Sequence, residues 1–372
     1  MGPWGEVFLA AGADWGEMNR KVEAVKTPVL VVGGGAAGCA ASLSLAQRGL
    51  ASLMVEREPR LGGKAGLFCC KAAEVCAKCG ACRVGDLLEG VRVRHEVSLF
   101  TRALPVKAEN DGNTWRVELA PQAGVELTQP GGGDWPTLPD KLTVECGAVV
   151  LAVGHTPFEA QTKTRFGMGR VPGVISASQL EERLAEDAMV IYPEKMAFIQ
   201  CVGSRDQAIG RLYCSRVCCG FALRMARLIK SRNFATQITF FHMDVQGYGR
   251  SWEDELTAMR AEMDFIPAMP GEVRRGPAGP QVCYAEPGGG QARADFDLVV
   301  LSNGLAPPAG AARLQELFGL GLTPDGFLGD AESAGVFAAG SAAGPRSIVE
   351  SIEHGALAAA KAAAYLREET HA

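Results

Sequence analysis

Nine of the twelve cysteines in this 372-residue chain lie in two short stretches, and no export signal is evident at the start. Cysteine used this way points to metal or redox chemistry rather than a disulfide scaffold. The stretch CVGSRDQAIGRLYCSRVCC holds Cys201, Cys214, Cys218 and Cys219, spaced C-x12-C-x3-C-C, which is neither a ferredoxin nor a zinc-finger spacing. Four thiolates are what a cubane cluster needs, because its iron is soft enough to demand sulfur. Buried structural thiols are the rival, and spacing alone leaves both open. Cys218 and Cys219 can reach one cluster only if the backbone turns there, at the start of a helix.

The other stretch, FCCKAAEVCAKCGACRVG, holds Cys69, Cys70, Cys76, Cys79 and Cys82. Its C-x2-C-x2-C run opens a ferredoxin-type ligand set, with Cys69 or Cys70 available as fourth ligand, although no C-x3-C-P completes it. A second [4Fe–4S] cluster is the favoured reading. A closed zinc site and a Cys76–Cys79 redox dithiol are the alternatives.

A third constellation is Gly33-x-Gly35-x-x-Gly38, with Glu56 following 23 residues after Gly33. The segment TPVLVVGGGAAGCAASLSLAQRGLASLMVERE reads as a buried strand, a glycine turn, an Ala/Leu helix ending at Gly49 and a second strand. In that context the glycines let backbone N–H groups approach a pyrophosphate at the helix N-terminus, and Glu56 can accept from ribose hydroxyls.

The elements that must position these groups follow from the pattern. Residues 1–26 have no clear period and read as an extension. Residues 27–155 form the first segment of a dinucleotide-binding domain; from Val91 to Cys146 they read as an antiparallel meander broken by the loop PQAGVELTQPGGGDWPTLPD. Residues 156–294 read as an inserted α/β domain carrying the first cysteine set, with a helix (SASQLEERLAED), a strand (MAFIQCVG), a helix (FALRMARLIKSR) and a strand (QITFFHMD). Residues 295–372 return to the first domain. Formal net charge is −5 with no basic cluster, which argues against a nucleic-acid partner. Glycine interrupts the apolar windows, so no direct membrane insertion is expected, and the N-terminus lacks a signal peptide's basic start. A cytoplasmic protein is expected. His155 and His242 are given no role.

Several motifs carry resemblances. EREPRLGGKAG resembles the E-x5-G-G run of two-dinucleotide-binding-domain flavoproteins, where Gly62 and Gly63 would contact the pyrophosphate or ribityl chain. GVFAAGSAAG resembles the closing motif of that superfamily, with Gly340 in its turn and Ser341 standing where an acid usually holds the ribityl chain. AVVLAVGHTP, with Gly154, resembles its crossover strand. The implied fold is a thioredoxin/glutathione-reductase-like α/β flavoprotein whose second α/β domain is inserted into the FAD domain. The second domain's first strand, FIQCVGSRD, has one glycine where a nicotinamide-binding turn would want three, so NAD(P)H binding there is not expected.

KMAFIQCVGSRD…YCSRVCCGFALRMARLIK resembles the A subunit of heterodisulfide reductase and its relatives. These include the A subunit of the quinone-interacting membrane-bound oxidoreductase and sulfur-oxidising heterodisulfide-reductase-like A proteins. The resemblance extends from Pro28 to about Leu366. It implies that Cys201, Cys214, Cys218 and Cys219 ligate a [4Fe–4S] cluster near FAD, in an oxidoreductase subunit passing electrons between the two. It also implies B- and C-type iron–sulfur partner subunits, a homodimer within a larger complex, and exchange with a flavin oxidoreductase, a hydrogenase or a sulfur carrier. Against the family pattern, the chain has no inserted or appended ferredoxin domains and reads as a minimal version. Arg224 stands where bifurcating relatives often carry a lysine near the flavin, and an arginine cannot give up its proton as a lysine can. The competing expectations are a stand-alone NAD(P)H-dependent disulfide or thiol reductase using the Cys76–Cys79 dithiol, and a zinc-stabilised flavin-binding assembly subunit.

Overall fold

A computed structural model of the chain describes residues 24–73, 75–122, 135–138, 140–187, 192–248 and 252–369. Residues 1–23 of the expected N-terminal extension and most of the Pro/Gly loop lie outside the described residues, and Val25 and Lys26, expected in the extension, belong to the first strand. The chain divides into two compact units: residues up to Leu67, Gly80–His155 and Pro307 onward form the first, and Phe68–Cys79 with Thr156–Ala306 form the second.

In the first unit, strands β1 (Val25–Val32), β2 (Ser52–Val55) and β3 (Val97–Phe100) pair in parallel, and β6 (Leu142–Leu151) lies on the other side of β1. The hairpin of β4 (Ala103–Asn110) and β5 (Trp115–Pro121) pairs antiparallel with Leu142–Cys146 of β6. β17 (Val336–Ala338) pairs in parallel with Val149–Leu151, so the two halves of one edge of β6 serve different strands. Helix α1 (Ala36–Ala46) follows the glycine turn after β1; α6 (Ala311–Phe318) brings Leu317 and Phe318 into a core with Trp115 and Leu142; and α7 (Ile348–Glu369) closes the chain. α1 is built almost wholly of Ala, Ser, Leu and Gly and is buried nearly all round, as expected of a helix with no polar stripe. A Cβ on Gly355 of α7 would lie 2.1 Å from the Ala37 carbonyl oxygen, so glycine is what lets these two helices approach.

One expectation for this unit is corrected. The stretch from Val91 is not all antiparallel strand: VRV closes helix α2 (Cys82–Val93), and β3 joins the parallel sheet. Buried Val84 and Val91 are seven residues apart, a helical spacing that a reading of short alternating strands passed over.

The second unit is a five-stranded parallel sheet in the order β11 (Asp264–Ile266), β10 (Gln237–Phe241), β9 (Lys195–Val202), β15 (Leu298–Asn303), β8 (Val174–Ser176). Helices α3 (Ala177–Ala185), α4 (Cys218–Arg232) and α5 (Trp252–Glu262) contribute to one core, with Leu180, Met225 and Leu256 packed around Phe198, Phe240 and Val300. α3 starts in a capping box, Ser176 Oγ accepting from the Gln179 N–H and the Gln179 side chain from the Ser176 N–H. An antiparallel meander of β12 (Glu272–Arg275), β13 (Pro280–Ala285) and β14 (Gln291–Asp295) brings Val273 and Val282 into a second core with Ile199, Phe241 and Leu301. The short pair β7 (Thr156–Pro157) and β16 (Leu305–Ala306) stands where the chain enters and leaves this unit.

The expected return at residue 295 is therefore corrected to residue 307. DLVVLSN reads equally well as a strand of either sheet, but as β15 it pairs with β9 and β8 of the second unit. The second unit also takes in Phe68–Cys79, which sequence order alone assigns to the first.

Candidate functional site

In the first unit the turn between β1 and α1 admits only glycine at two places. Gly33 has φ +105°, and a Cβ there would lie 2.5 Å from the Ala152 carbonyl oxygen; a Cβ on Gly38 would lie 1.8 Å from the Gly33 carbonyl oxygen. Gly35 caps α1 without a side chain, and no acid occupies the first turn, so the positive end of the helix is suited to an anionic group. Glu56, just past β2, is buried; its Oε2 accepts the Gly34 N–H at 2.7 Å and its Oε1 the Glu58 N–H at 2.9 Å. Burial raises the Glu56 pKa more than these two donors lower it. The Gly62 N–H donates to the Gly34 carbonyl at 2.8 Å, and Gly35 and Gly62 form an isolated parallel bridge, which lays the Gly62–Gly63 pair on the same turn.

The remaining predicted flavin residues also fall in this unit. Gly154 (φ +74°) ends the β6 segment, and Gly340 (φ +63°) follows β17 with no room for a Cβ beside Ala37. Ser341 Oγ lies 3.0 Å from His155 Nδ1. The His155 pKa is pushed down to about 3 by burial and by the positive charge of Lys64, whose Nζ donates to the His155 carbonyl at 2.6 Å. The imidazole is thus neutral and joins Ser341 in an uncharged polar pair.

Two further groups around Gly340 were not foreseen. The Gly340 N–H donates to His354 Nδ1 at 3.0 Å, and Arg346 donates to the Gly340 and Gly344 carbonyls at 3.0 and 3.2 Å. Burial and Arg346 lower the His354 pKa. The only signal for His354 was a single histidine among small residues in IEHGALAAA, a pattern that reads as helix packing. The cradle in which a Cβ has no space, the uncapped helix and the buried acid together fit a dinucleotide, and FAD is the group they would hold.

In the second unit Cys201 lies on β9, and Cys218 and Cys219 occupy the first turn of α4, the helix start that two adjacent ligands require. Cys201, Arg205 and Arg216 all have positive φ, so the loops bearing the thiols are held in a conformation that non-glycine residues rarely adopt. The thiols sense one another. Burial pushes Cys201 up to about 12, with Cys219 and Cys214 adding to the shift. Burial likewise raises Cys218, aided by Cys219, Cys201 and Cys214. Cys219 is raised chiefly by burial, against a hydrogen bond from the Gln246 backbone. The Arg216 N–H donates to Cys214 Sγ at 3.3 Å.

No group of three or more His, Cys, Asp or Glu among the described residues is already converged on a metal position. Binding would therefore require the thiols to rotate inward and lose their protons. The chemistry of the donor set fits an iron–sulfur cluster: four cysteines at the end of β9 and the start of α4, a backbone N–H directed at the Cys214 sulfur, and a buried amide, Gln200, next in sequence to Cys201 and unpartnered among the described residues.

The second cysteine run falls across the unit boundary, with Cys76 and Cys79 in the second unit and Cys82 starting α2 in the first. Cys70, Cys76 and Cys82 are exposed. Within the second unit the Phe68–Cys79 segment is pinned at three points. Phe68 stacks on Phe221 of α4 with ring centroids 5.1 Å apart. Lys71 is buried against Glu181 of α3 at 2.5 Å, with the same Glu181 oxygen accepting the Cys69 N–H at 2.9 Å. Arg224 Nε donates to the Ala77 carbonyl at 2.9 Å, so the arginine expected at a lysine position holds the Cys76–Cys79 loop instead. Arg224→Ala is expected to release this loop and raise the alkylation rate of half-buried Cys79 several-fold relative to already exposed Cys76, read by timed iodoacetamide labelling and mass spectrometry, with Cys146 and Cys39 unlabelled as buried controls.

Comparison with known proteins adds to this geometry. The FAD dependent oxidoreductase family model matches residues 28–70, which span the glycine turn, Glu56 and the Gly62–Gly63 pair. The chain is 29% identical to the A subunit of the H(2):CoB–CoM heterodisulfide,ferredoxin reductase of Methanothermobacter marburgensis, covering 91% of this chain and 64% of that protein. It is 30% identical to the A subunit of the ferredoxin:CoB–CoM heterodisulfide reductase of Methanosarcina mazei, covering 93% of this chain and 54% of that one. The chain thus spans less than two thirds of these relatives' length. Its fold is similar to the thioredoxin reductases of T. acidophilum (TM-score 0.59, 15% identity, 93% of this chain and 99% of that one) and of Lactococcus lactis (TM-score 0.57, 18% identity, 92% and 100%). That likeness gives the α/β flavoprotein fold of two dinucleotide-binding-type units. No described helix is long and apolar enough to cross a membrane. By sequence along nine-tenths of its length, the chain is a relative of the A subunits of heterodisulfide reductases.

Proposed function

We propose that this chain is an FAD- and iron–sulfur-dependent electron-transfer subunit of a heterodisulfide-reductase-like complex. The observation that carries the reading is at the C-terminal end of β9. There a nicotinamide-binding unit would need a glycine-rich turn, and this chain has Cys201 on the strand, Cys214 in the loop, Cys218 and Cys219 in the first turn of α4, and Gly203, whose Cβ position is filled by the Phe158 ring. That substitution favours a cluster over the NAD(P)H-dependent dithiol reductase.

In this reading Gly33, Gly35, Gly38 and Glu56 hold the dinucleotide, and Gly62, Gly63, Gly154, Gly340 and Ser341 line its flavin half. Cys201, Cys214, Cys218 and Cys219 are the metal ligands. Bound FAD and a [4Fe–4S] cluster would supply the exchange between two-electron and one-electron chemistry. The protein's own part is to bind and orient both, with a neutral His155–Ser341 pair where no titrating acid stands. The Cys76–Cys79–Cys82 run stays outside this proposal, because its members fall on both sides of the unit boundary. B- and C-type iron–sulfur subunits as partners, a homodimer within the complex, exchange with a flavin oxidoreductase, hydrogenase or sulfur carrier, and a cytoplasmic location belong to the same proposal. The naming of the relatives as A subunits of reductases supports a multi-subunit complex, and the finer statements rest on the family resemblance alone.

Anaerobic reconstitution is expected to give one FAD and about four iron per chain. Cys219→Ser is expected to abolish the EPR signal of the reduced cluster while FAD content stays unchanged. Iron-free protein whose flavin is bleached by NADPH would reject the reading.

A further inference from the structure

Three polar side chains at neighbouring strand ends of the second unit are buried and find no hydrogen-bond partner among the described residues. Gln200 is 1% exposed, Ser302 1% and His242 6%. Neither amide atom of Gln200 has a hydrogen-bond partner, nor does Ser302 Oγ. Neither ring nitrogen of His242 makes a bond of acceptable geometry; its one polar approach is to the adjacent Met243 backbone. A buried polar group without a partner is costly, and natural proteins seldom keep three together without a use for them.

Their placement follows from strand alternation. Phe198, Phe240 and Val300 pack with Ala222, Leu223 and Met225 of α4, whereas Ile199, Phe241 and Leu301 lie in the opposite core. Gln200, His242 and Ser302 each come two residues after the first set, so they fall on the α4 face. His242 meets Phe265, which packs in that same core. Phe241 and Leu301 are both in register with Ile199, so Gln200, His242 and Ser302, the next residue of each chain segment, start together at the C-terminal edge of β9, β10 and β15, where β9 takes a bulge before Val202 pairs with Asn303. The first turn of α4, with Cys218 and buried Cys219, belongs to the helix on that face, and Cys201 is the next residue after Gln200. Arg205, four residues after Cys201, donates to the carboxylate of Asp244, two residues after His242, which ties the two strand ends together.

We infer that Gln200, with His242 and Ser302 beside it, lines the buried side of the Cys201–Cys214–Cys218–Cys219 group and donates hydrogen bonds to the sulfur of the cluster held there. The inference rests on the cluster reading above and adds what tunes the cluster. A reduced cluster carries one more negative charge than an oxidised one, so donors to its sulfur stabilise the reduced state and raise its potential. These are positioning residues, and they contribute no ligand.

The test is a potentiometric EPR titration of anaerobically reconstituted protein. Gln200→Met keeps length and removes the donor. Its expected effect is a roughly tenfold weaker preference for the reduced state, a negative shift of about 59 mV for a one-electron couple. The flavin midpoint, read by visible absorbance, should stay in place. The unfolding temperature of the iron-free protein should not fall, because an unpartnered buried amide has been replaced by an apolar group. If Gln200→Met loses the cluster, Ser302→Ala, a smaller deletion in the same group, is expected to shift the midpoint in the same direction. An unchanged midpoint in a variant that keeps its signal overturns the inference. A wild-type protein with no Cys219-dependent signal would instead remove the cluster reading and the inference with it.

Discussion

Lys71→Met is expected to lower the stability of the protein by about 3–5 kcal/mol, because it leaves the Glu181 carboxylate charged and uncompensated in the interior. The Lys71 and Glu181 side chains are 3% and 4% exposed, and the Lys71 ammonium also reaches the Cys69 carbonyl at 2.9 Å. Lys71 further lies over the Phe68 and Phe221 rings, so its loss removes a cation–π contact as well. The measurement is the midpoint of urea denaturation. Lys71→Met combined with Glu181→Leu is expected to recover most of the loss, since an apolar pair can replace a buried ion pair at little cost. A double variant as unstable as the single one would show that the damage comes from lost packing of the Phe68–Cys79 segment, and that the stranded charge is not the cause.

Gly38→Ala is expected to yield protein without bound FAD and with stability reduced by about 3 kcal/mol. The new methyl would need the space held by the Gly33 carbonyl oxygen, at 1.8 Å, and would crowd the Ala152 side chain at 3.3 Å. The obstacle is backbone, which cannot rotate away as a side chain can, so α1 must shift and carry its first-turn N–H groups off the pyrophosphate position. Gly85→Ala on α2 is the control, as nothing lies within 4 Å of its Cβ. That variant should keep its flavin and gain about 0.4–1 kcal/mol from reduced freedom of the unfolded chain. Flavin absorbance of the purified proteins separates the two outcomes.

Much of the flavin cradle is legible in the sequence, because its chemistry is local. The glycines of the turn, Glu56 and the Gly62–Gly63 pair lie within 31 consecutive residues, counting from Gly33 to Gly63, and each requirement is one of backbone shape or of distance along a βαβ unit. The start of α4 at the cysteine pair is legible for a similar reason, since FALRMARLIKSR carries a helical apolar stripe that begins immediately after it.

The neutral character of the His155–Ser341 pair is not legible there, because it depends on burial and on Lys64, which is 91 residues away along the chain. The same holds for the hydrogen bond from Arg224 to the Ala77 carbonyl, which joins residues 147 positions apart.

By itself the sequence determined the residue types that can do chemistry here: a dinucleotide turn, four thiols able to take iron, and an order of strands and helices that puts each at a strand end. Those features depend on short-range geometry and on the intrinsic affinity of thiolate for iron. Only the tertiary structure decided which sheet DLVVLSN joins, which unit holds Cys76 and Cys79, and which buried side chains stand beside the thiols without partners. A strand's partners, a side chain's burial and a polar atom's missing bond are all set by residues far away in sequence, and no local pattern records them.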